Sequence, residues 1–328
     1  EYLFGDADDR DYETDFPGFG RTFPHPYGTP DDKYYSTRLT LSPAGDELTL
    51  SFAKTLIEHE ALGEDEVTDY LAVSFSSTDY VGHLFGASSL EAEDNLARLD
   101  RTLADLFAYL DDKIGLEHTL IVLSADHGQP EAPGYLNSLG IRNAHYFDTD
   151  ALDKTPAIAA LKKQFGIGEE LIDAFFQPYV YLNRELIRDQ GLDQAEVELA
   201  VAEQLQKFPG VAAAASSTAL RTSSLPDTLL MRSILRNFHH KRSGDIYLVF
   251  EPNVFINDFD SLTVASMHGS PWRYDTFVPV YFAGRGLPPQ TVHRPITPYD
   301  IAPTLSAYIG AKPPSGAIGT ALPEVLGE

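Results

Sequence analysis

The sequence predicts an α/β protein whose mostly parallel central sheet is sandwiched by helices and interrupted by an inserted cap region. Short apolar runs at 70–77 (YLAVSFSS) and 119–125 (TLIVLSA) are typical of buried parallel strands. Helical spacing of the apolar residues between them completes a right-handed strand–helix–strand unit. Polar residues follow each run, at the sheet edge where open α/β proteins place their ligands.

The first 45 residues predict irregular structure, because glycines and prolines recur throughout them. Acidic residues cluster near their beginning and could bind calcium through carboxylate oxygens, although the loop pattern of an EF-hand is absent. The alternative is a solvated acidic loop. The cluster consists of Asp6, Asp8, Asp9 and Asp11.

Two helices flank the first predicted strand. The first covers residues 46–62, and its apolar face is predicted to contain Leu48, Phe52, Leu56 and Ile57. The second follows the strand, where Ser88 and Glu91 have the spacing of a capping box and Gly115 ends the helix. Its apolar stripe comprises Leu96, Leu99, Leu103, Phe107, Leu110 and Ile114.

The pattern of the remaining sequence predicts an inserted region followed by a return to the α/β core. Residues 1–150 are predicted to form part of the α/β core with the metal motifs, 151–244 the cap region, and 245–328 the return to the core. Helical patterns lie within the inserted region at 156–165 and 194–207. Strands are predicted at 245–252 and 276–284, and a final helix within 296–310.

Composition excludes several classes of protein. The formal net charge is −25, from 49 acidic and 24 basic residues, whereas a nucleic-acid scaffold needs a basic face. Such a negative charge slows the approach of anionic substrates unless a local positive centre outweighs it. The alternative is that the acidic composition serves solubility or adaptation to salt. The chain has no cysteine, which excludes disulfides and thiolate metal sites. No run reaches the roughly 18 apolar residues of a membrane span.

Five side chains with metal-binding chemistry lie in three short motifs: Asp79 and His83, Asp126 and His127, and His268. Carboxylate oxygen and imidazole nitrogen together are typical zinc ligands. Taken singly, each motif also fits an ordinary surface turn or polar loop. Together, near the ends of apolar runs, they predict two metals in one cleft, and two metals about 3.5–4 Å apart suit in-line displacement at phosphorus.

The spacing within the motifs predicts how these ligands meet. Asp79 and His83 are four residues apart and share one face if their segment is helical. Neighbouring residues such as Asp126 and His127 usually point apart, but a sharp turn at a strand end allows both to face one ion. Gly128 is predicted to permit that turn.

Three strings in this order, SFSSTDYVGHLFG, LSADHG and HGSPWRYDTFVPVYFAG, resemble the alkaline phosphatase superfamily. The resemblance is to the type I phosphodiesterase/nucleotide pyrophosphatase branch, and within it to bacterial zinc-dependent alkaline phosphatases that hydrolyse phosphate monoesters. FPHPYG (23–28) and SPAGDELTLSFAK (42–54) share it, so that it runs from about residue 16 to 310.

The resemblance implies an alkaline phosphatase-like fold and two Zn²⁺ ions. One zinc would be held by Asp79, His83 and His268, and the other by Asp126 and His127. It also implies that a Thr or Ser nucleophile forms a covalent phosphoenzyme, which water then hydrolyses. Small phosphate esters are the expected substrates, and a periplasmic or secreted location is expected.

The family's nucleophile, a further Asp ligand and the Asn, Lys and Arg that bind the phosphoryl group have no match in residues 1–70. We therefore expect the chain to be the carboxyl-terminal part of such an enzyme, with an amino-terminal segment missing. On that expectation, residues 1–328 alone neither fold stably nor turn over. A phosphodiesterase of the same branch is the alternative enzyme, and a non-catalytic metal-binding fragment or pseudoenzyme is the alternative of another class.

Overall fold

The computed structural model describes residues 3, 5, 8–259 and 262–327, and helices and short strands alternate along them. Asp6 of the acidic cluster that could bind calcium lies outside the described residues. The α-helices are α1 Tyr35–Thr40, α2 Pro43–His59, α3 Ser77–Phe85, α4 Leu90–Lys113, α5 Pro133–Ser138, α6 Pro156–Phe165, α7 Arg184–Asp189, α8 Gln194–Leu205, α9 Ser217–Arg221, α10 Leu229–Asn237, α11 Arg273–Thr276, α12 Ile301–Tyr308 and α13 Pro323–Leu326. The strands are β1 Leu120–Ser124, β2 His145–Tyr146, β3 Ile172–Phe176, β4 Tyr179–Leu182, β5 Val211–Ser216, β6 Ile246–Phe250, β7 Val254–Phe255, β8 Asp258–Phe259, β9 Leu262–Thr263 and β10 Val280–Gly284.

Most predicted elements are confirmed, and α6 shows why. Thr155 caps it by accepting a hydrogen bond from the Ile158 N–H, and Pro156 occupies its first turn. Gly166, in the left-handed conformation, ends it. The predicted strands at 119–125, 245–252 and 276–284 are β1, β6 and β10.

The predicted strand at 70–77 is wrong. Residues 70–76 belong to no strand, and α3 begins at Ser77. Their side chains are exposed or half-buried, so the burial that defines a central parallel strand is missing. The predicted strand–helix–strand unit is therefore incomplete.

The sheets differ from the predicted mostly parallel arrangement. Of the strand pairs within the described ranges, β2–β7 is parallel and the others are antiparallel. β1 pairs in antiparallel register with β10. Because the strand predicted before α4 does not form, β1 has no parallel neighbour from that unit.

Helix α2 buries Ile57 as predicted but leaves two other residues of the predicted apolar face exposed. Leu48 and Phe52 are 57% and 69% exposed, whereas Leu50, Ala53 and Ile57 are buried. The same buried face carries Asp46, whose Oδ1 accepts a hydrogen bond of 3.1 Å from the backbone N–H of Ser77. A carboxylate at this end of α3 favours the helix and fixes where it starts.

The start of α4 is capped by Ser89 and not by Ser88. The Ser89 Oγ accepts a hydrogen bond of 3.0 Å from the Ala92 N–H. Ser88 instead donates its hydroxyl hydrogen to Glu131, at 2.6 Å. Glu91 pairs with His25, so no reciprocal capping box forms.

The segment predicted as a cap region contributes β3, β4 and β5 to a four-stranded antiparallel sheet in the order β3–β4–β6–β5. α6 and α8 cover one side of it with a large apolar core that includes Ile158, Val197 and Leu205. β6 follows the boundary predicted at residue 244, so this sheet combines strands of the predicted cap region with one of the predicted return to the core. Asp245 joins the two parts by accepting hydrogen bonds from Leu182 N–H and the Arg184 guanidinium.

A segment near the beginning of the chain packs against α3. Phe16 and Phe19 share a buried apolar cluster with α3 residues such as Leu84 and Phe85. The backbone N–H of Thr14 donates to the Leu84 carbonyl at 2.8 Å. These contacts hold the end of α3 that carries His83.

Candidate metal centre

Asp79 lies at the middle of the site. Its Oδ1 is 3.3 Å from Nε2 of His268, 3.4 Å from Nε2 of His83 and 3.6 Å from Nε2 of His127. This oxygen is shielded from solvent, and none of the three contacts has hydrogen-bond geometry. One carboxylate oxygen and three imidazole nitrogens thus converge without satisfying one another, which is the donor set and arrangement that a zinc ion fits.

Backbone carbonyls orient two of the imidazoles. Nδ1 of His83 lies 2.8 Å from the carbonyl oxygen of Ser266, and Nδ1 of His127 lies 3.0 Å from that of Gly128. With Nδ1–H donating to a carbonyl, Nε2 keeps its lone pair and faces Asp79. These carbonyls therefore select the tautomer that binds metal.

The electrostatics of the site favour ligating forms. Burial lowers the pKa of His83, which is 2% exposed, so its ring is neutral at pH 7. Burial alone would raise the pKa of Asp79, but the three surrounding histidines hold that pKa below its usual range. A neutral imidazole beside an ionised carboxylate is the combination that a divalent cation requires.

The loop that carries His268 is held by residues that the sequence did not point to. Oδ2 of the buried Asp275 accepts a hydrogen bond of 2.7 Å from the Ser270 N–H. Gln177, at the turn between β3 and β4, donates from Nε2 to the His268 carbonyl at 2.8 Å. The His268 ring in turn stacks on His127 with centroids 3.4 Å apart.

Asp126 lies at the open edge of the site. Its side chain is 90% exposed, and its Oδ2 is 3.7 Å from Nε2 of His127. The structure thus brings Asp79, His83, His127 and His268 together, whereas the exposed Asp126 side chain contacts its chain neighbour His127, and its role as a ligand stays a prediction. How the predicted ligands divide between two zinc ions stays a prediction, because Asp79 lies equally near histidines of both predicted sets.

Gly128 is required for a different reason from the one predicted. Its φ is not in the left-handed region. A Cβ at this position would come closer to the Tyr274 carbonyl oxygen than the 3.0 Å that real Cβ atoms respect. The Gly128 N–H also donates to the Asp275 carbonyl at 2.7 Å. The glycine lets two backbone segments of the metal centre touch.

Comparison with known proteins identifies the family. The sequence model of the type I phosphodiesterase / nucleotide pyrophosphatase family matches residues 9–271. The chain belongs to this family. It is 35% identical over 306 residues to the alkaline phosphatase PafA of Elizabethkingia meningoseptica. It is also 38% identical over 329 residues to a Myroides odoratus protein named calcium-transporting ATPase.

The structural comparison shows the alkaline phosphatase-like α/β fold. The chain superposes on the crystal structure of wild-type PafA with a TM-score of 0.85 and 32% sequence identity, over 99% of this chain and 61% of that one. The sequence matches cover 93% of the chain and 55% of PafA, and 99% of the chain and 59% of the Myroides protein. The chain therefore spans little more than half the length of these relatives.

None of the helices within the described ranges is long and apolar enough to cross a membrane.

Proposed function

We propose that this protein is a zinc-dependent phosphomonoesterase of the alkaline phosphatase type, which releases inorganic phosphate from small organic esters in the periplasm or outside the cell. The observation that carries the proposal is the convergence of three imidazole Nε2 atoms on the buried Oδ1 of Asp79. Relatives named as alkaline phosphatases support the reaction class.

In this proposal Asp79, His83 and His268 hold one zinc, while Asp126 and His127 hold the other. When bound, the metals supply Lewis-acid stabilisation of the phosphoryl oxygens and lower the pKa of the attacking hydroxyl. The chain's own residues prepare the site. The carbonyls of Ser266 and Gly128 hold the rings of His83 and His127 in the ligating tautomer, and the Asp126 side chain is exposed to solvent at the edge of the site.

Charge explains why metal matters for substrate approach. The chain carries a formal net charge of −25, which repels a phosphate monoester dianion at long range. Two dications in the cleft would reverse the sign of the local potential.

A phosphodiesterase is the second candidate, because the family that matches is described by phosphodiesterase and nucleotide pyrophosphatase activity. The test is hydrolysis of p-nitrophenyl phosphate against bis-p-nitrophenyl phosphate with zinc supplied. The intact mass of the assayed protein should be measured first. Comparison with the 36.1 kDa of this chain shows whether the measured hydrolysis belongs to this chain alone. Preference for the diester would overturn the monoesterase proposal. Hydrolysis of neither ester by zinc-loaded protein would favour a metal-binding protein without catalysis.

His268→Ala tests the ligand assignment. It removes one of the nitrogens around Asp79, so we expect hydrolysis to fall by more than the roughly 10–100-fold caused by loss of an outer-shell partner. His118→Ala is the matched control, because that side chain is 71% exposed and precedes β1, at the opposite end of the strand from Asp126 and His127. Equal activity in the two variants would refute the assignment of His268.

A further inference from the structure

Ser266 contacts the metal centre through both its backbone and its side chain. It is fully buried and lies two residues before the predicted ligand His268. Its carbonyl oxygen lies 2.8 Å from Nδ1 of His83, and its N–H donates to the His83 carbonyl at 3.2 Å. The backbone of Ser266 thus joins the segment that carries His268 to both the ring and the main chain of His83.

The Ser266 side chain reaches the third ligand segment. Its hydroxyl donates to the carbonyl oxygen of Pro130 at 2.8 Å and accepts a hydrogen bond of 3.3 Å from Nε2 of Gln129. These two residues follow the predicted ligand His127 by two and three positions. One buried hydroxyl therefore uses its donor and an acceptor on the segment that carries His127.

Gln129 is held in place by α3. A Cβ on Gly82 would lie 2.8 Å from Cδ of Gln129, so this side chain packs directly on the helix backbone, one residue before His83. That packing places the Gln129 amide where it meets the Ser266 hydroxyl. Gly82 is needed here because a larger residue would displace the amide.

The backbone before Ser266 is fixed independently of the hydroxyl. Ala265 donates its N–H to the His83 carbonyl at 2.8 Å, and the Ala265 carbonyl accepts the Tyr146 hydroxyl at 2.7 Å. These bonds secure the position of residues 265–266 against α3. The link from Ser266 to the His127 segment is made by its side chain.

We propose that Ser266 is a positioning residue whose hydroxyl sets the distance of the His127 segment from α3 and from the His268 loop. The inference rests on the proposed zinc function of Asp79 and the surrounding histidines. Without the hydroxyl, the buried Pro130 carbonyl loses its donor, and a buried carbonyl left unpaired is costly enough to shift the backbone. Such a shift would separate the rings of His127 and His268, whose centroids are 3.4 Å apart.

Ser266→Ala tests this role because it removes the hydroxyl and keeps the backbone carbonyl that orients His83. Metal ions are first removed with a chelating resin. Zinc affinity is then measured by competition with a chromogenic chelator, and the visible absorption spectrum is recorded after loading with Co²⁺. We expect zinc affinity to fall roughly 10–100-fold, as for loss of an outer-shell partner. The cobalt bands should shift or change intensity, because they report the geometry of the ligands.

Ser216→Ala is the matched control. Ser216 is 3% exposed, and its hydroxyl oxygen caps α9 by accepting a hydrogen bond of 3.2 Å from the Ala219 N–H. Its variant also loses a buried hydroxyl, so both metal-free variants should unfold at a lower temperature than wild type. Zinc affinity and the cobalt spectrum of Ser216→Ala should equal those of wild type. This comparison separates positioning of the ligands from general stability.

Gln129→Met tests the same link without emptying a fully buried position. Methionine keeps the length of the half-buried Gln129 side chain but cannot donate to the Ser266 hydroxyl. We expect the same change in the cobalt spectrum and a smaller fall in zinc affinity than in Ser266→Ala, because the bond that is lost is the longer of the two.

The proposal would be overturned if Ser266→Ala and Gln129→Met both bound zinc and cobalt as Ser216→Ala does. If Ser266→Ala does not fold, Gln129→Met decides alone, and a wild-type affinity and spectrum in that variant would overturn the proposal. Wild-type protein that binds neither zinc nor cobalt is a different result. It would overturn the proposed zinc centre and, with it, the positioning role of Ser266.

Discussion

Gly128→Ala is the substitution that tests the geometry of the metal centre most directly. Gly128 follows the ligand His127, and the added methyl group would collide with the backbone carbonyl of Tyr274. Backbone cannot rotate away as a flexible side chain can. The turn carrying Asp126 and His127 must therefore move away from the loop that carries Asp275.

The size of the effect follows from the contacts. Relief of the collision requires a shift of about 1 Å, a displacement large enough to matter for catalysis. The hydrogen bond of 2.7 Å from Gly128 N–H to the Asp275 carbonyl would be lost, at a cost of about 1 kcal/mol. Overpacking adds about 1–3 kcal/mol to the loss of stability. With His127 displaced from Asp79, zinc affinity should fall roughly 10–100-fold, or about 1.4–2.7 kcal/mol.

The assay is zinc affinity by competition with a chromogenic chelator, accompanied by thermal unfolding of the zinc-free protein. Gly168→Ala is the control, because a Cβ there meets nothing within 4 Å and its φ is not left-handed. If Gly128→Ala bound zinc as tightly as Gly168→Ala, the close approach of the two backbone segments would have no part in forming the site.

Three further predictions concern charge. Asp79→Asn keeps the shape of the side chain but removes the carboxylate among the histidines, so zinc affinity in the competition assay should fall by more than about 100-fold, beyond an outer-shell effect. Burial raises the pKa of Glu13 from 4.5 to about 8, which means that the folded state holds more protons between these pH values. The unfolding free energy should therefore fall as pH rises through that window, by up to about 1.4 kcal/mol per pH unit, and Glu13→Gln should flatten the slope in denaturant titrations. Asp245→Ala leaves the buried N–H of Leu182 without its acceptor and should cost about 1–3 kcal/mol of stability with zinc affinity unchanged, since the Arg184 guanidinium is 62% exposed; an equal loss of zinc affinity would show that the metal centre depends on Asp245.

The candidate ligands could be found in the sequence because each belongs to a short local pattern. The four-residue spacing of Asp79 and His83 needs only a helix to bring them onto one face, and α3 supplies it. The elements that were predicted well have local signals at both ends, as Thr155 and Gly166 give α6. Local signals of this kind need no knowledge of the rest of the fold.

The errors occurred where long-range contacts decide the structure. The apolar run at 70–77 resembles a strand, but a strand requires a neighbour, and none pairs with it within the part of the chain that is described. α2 exposes Leu48 and Phe52 because its other face meets α4 and the Ser77 N–H. Gln177 contacts the His268 loop across 91 residues of sequence, and nothing in its surroundings marks it.

Three distant segments fix α3, and this argues that the metal centre depends on the whole fold rather than on its motifs. Asp46 holds the amino end of the helix, and Thr14 bonds near its carboxyl end. The His83 carbonyl accepts the N–H of Ala265 at 2.8 Å, next to the Ser266 carbonyl that orients the His83 ring. A change at any of these anchors moves Asp79 and His83 together, because both lie on one rigid helix. It should therefore alter zinc affinity while leaving the spacing between these two ligands unchanged.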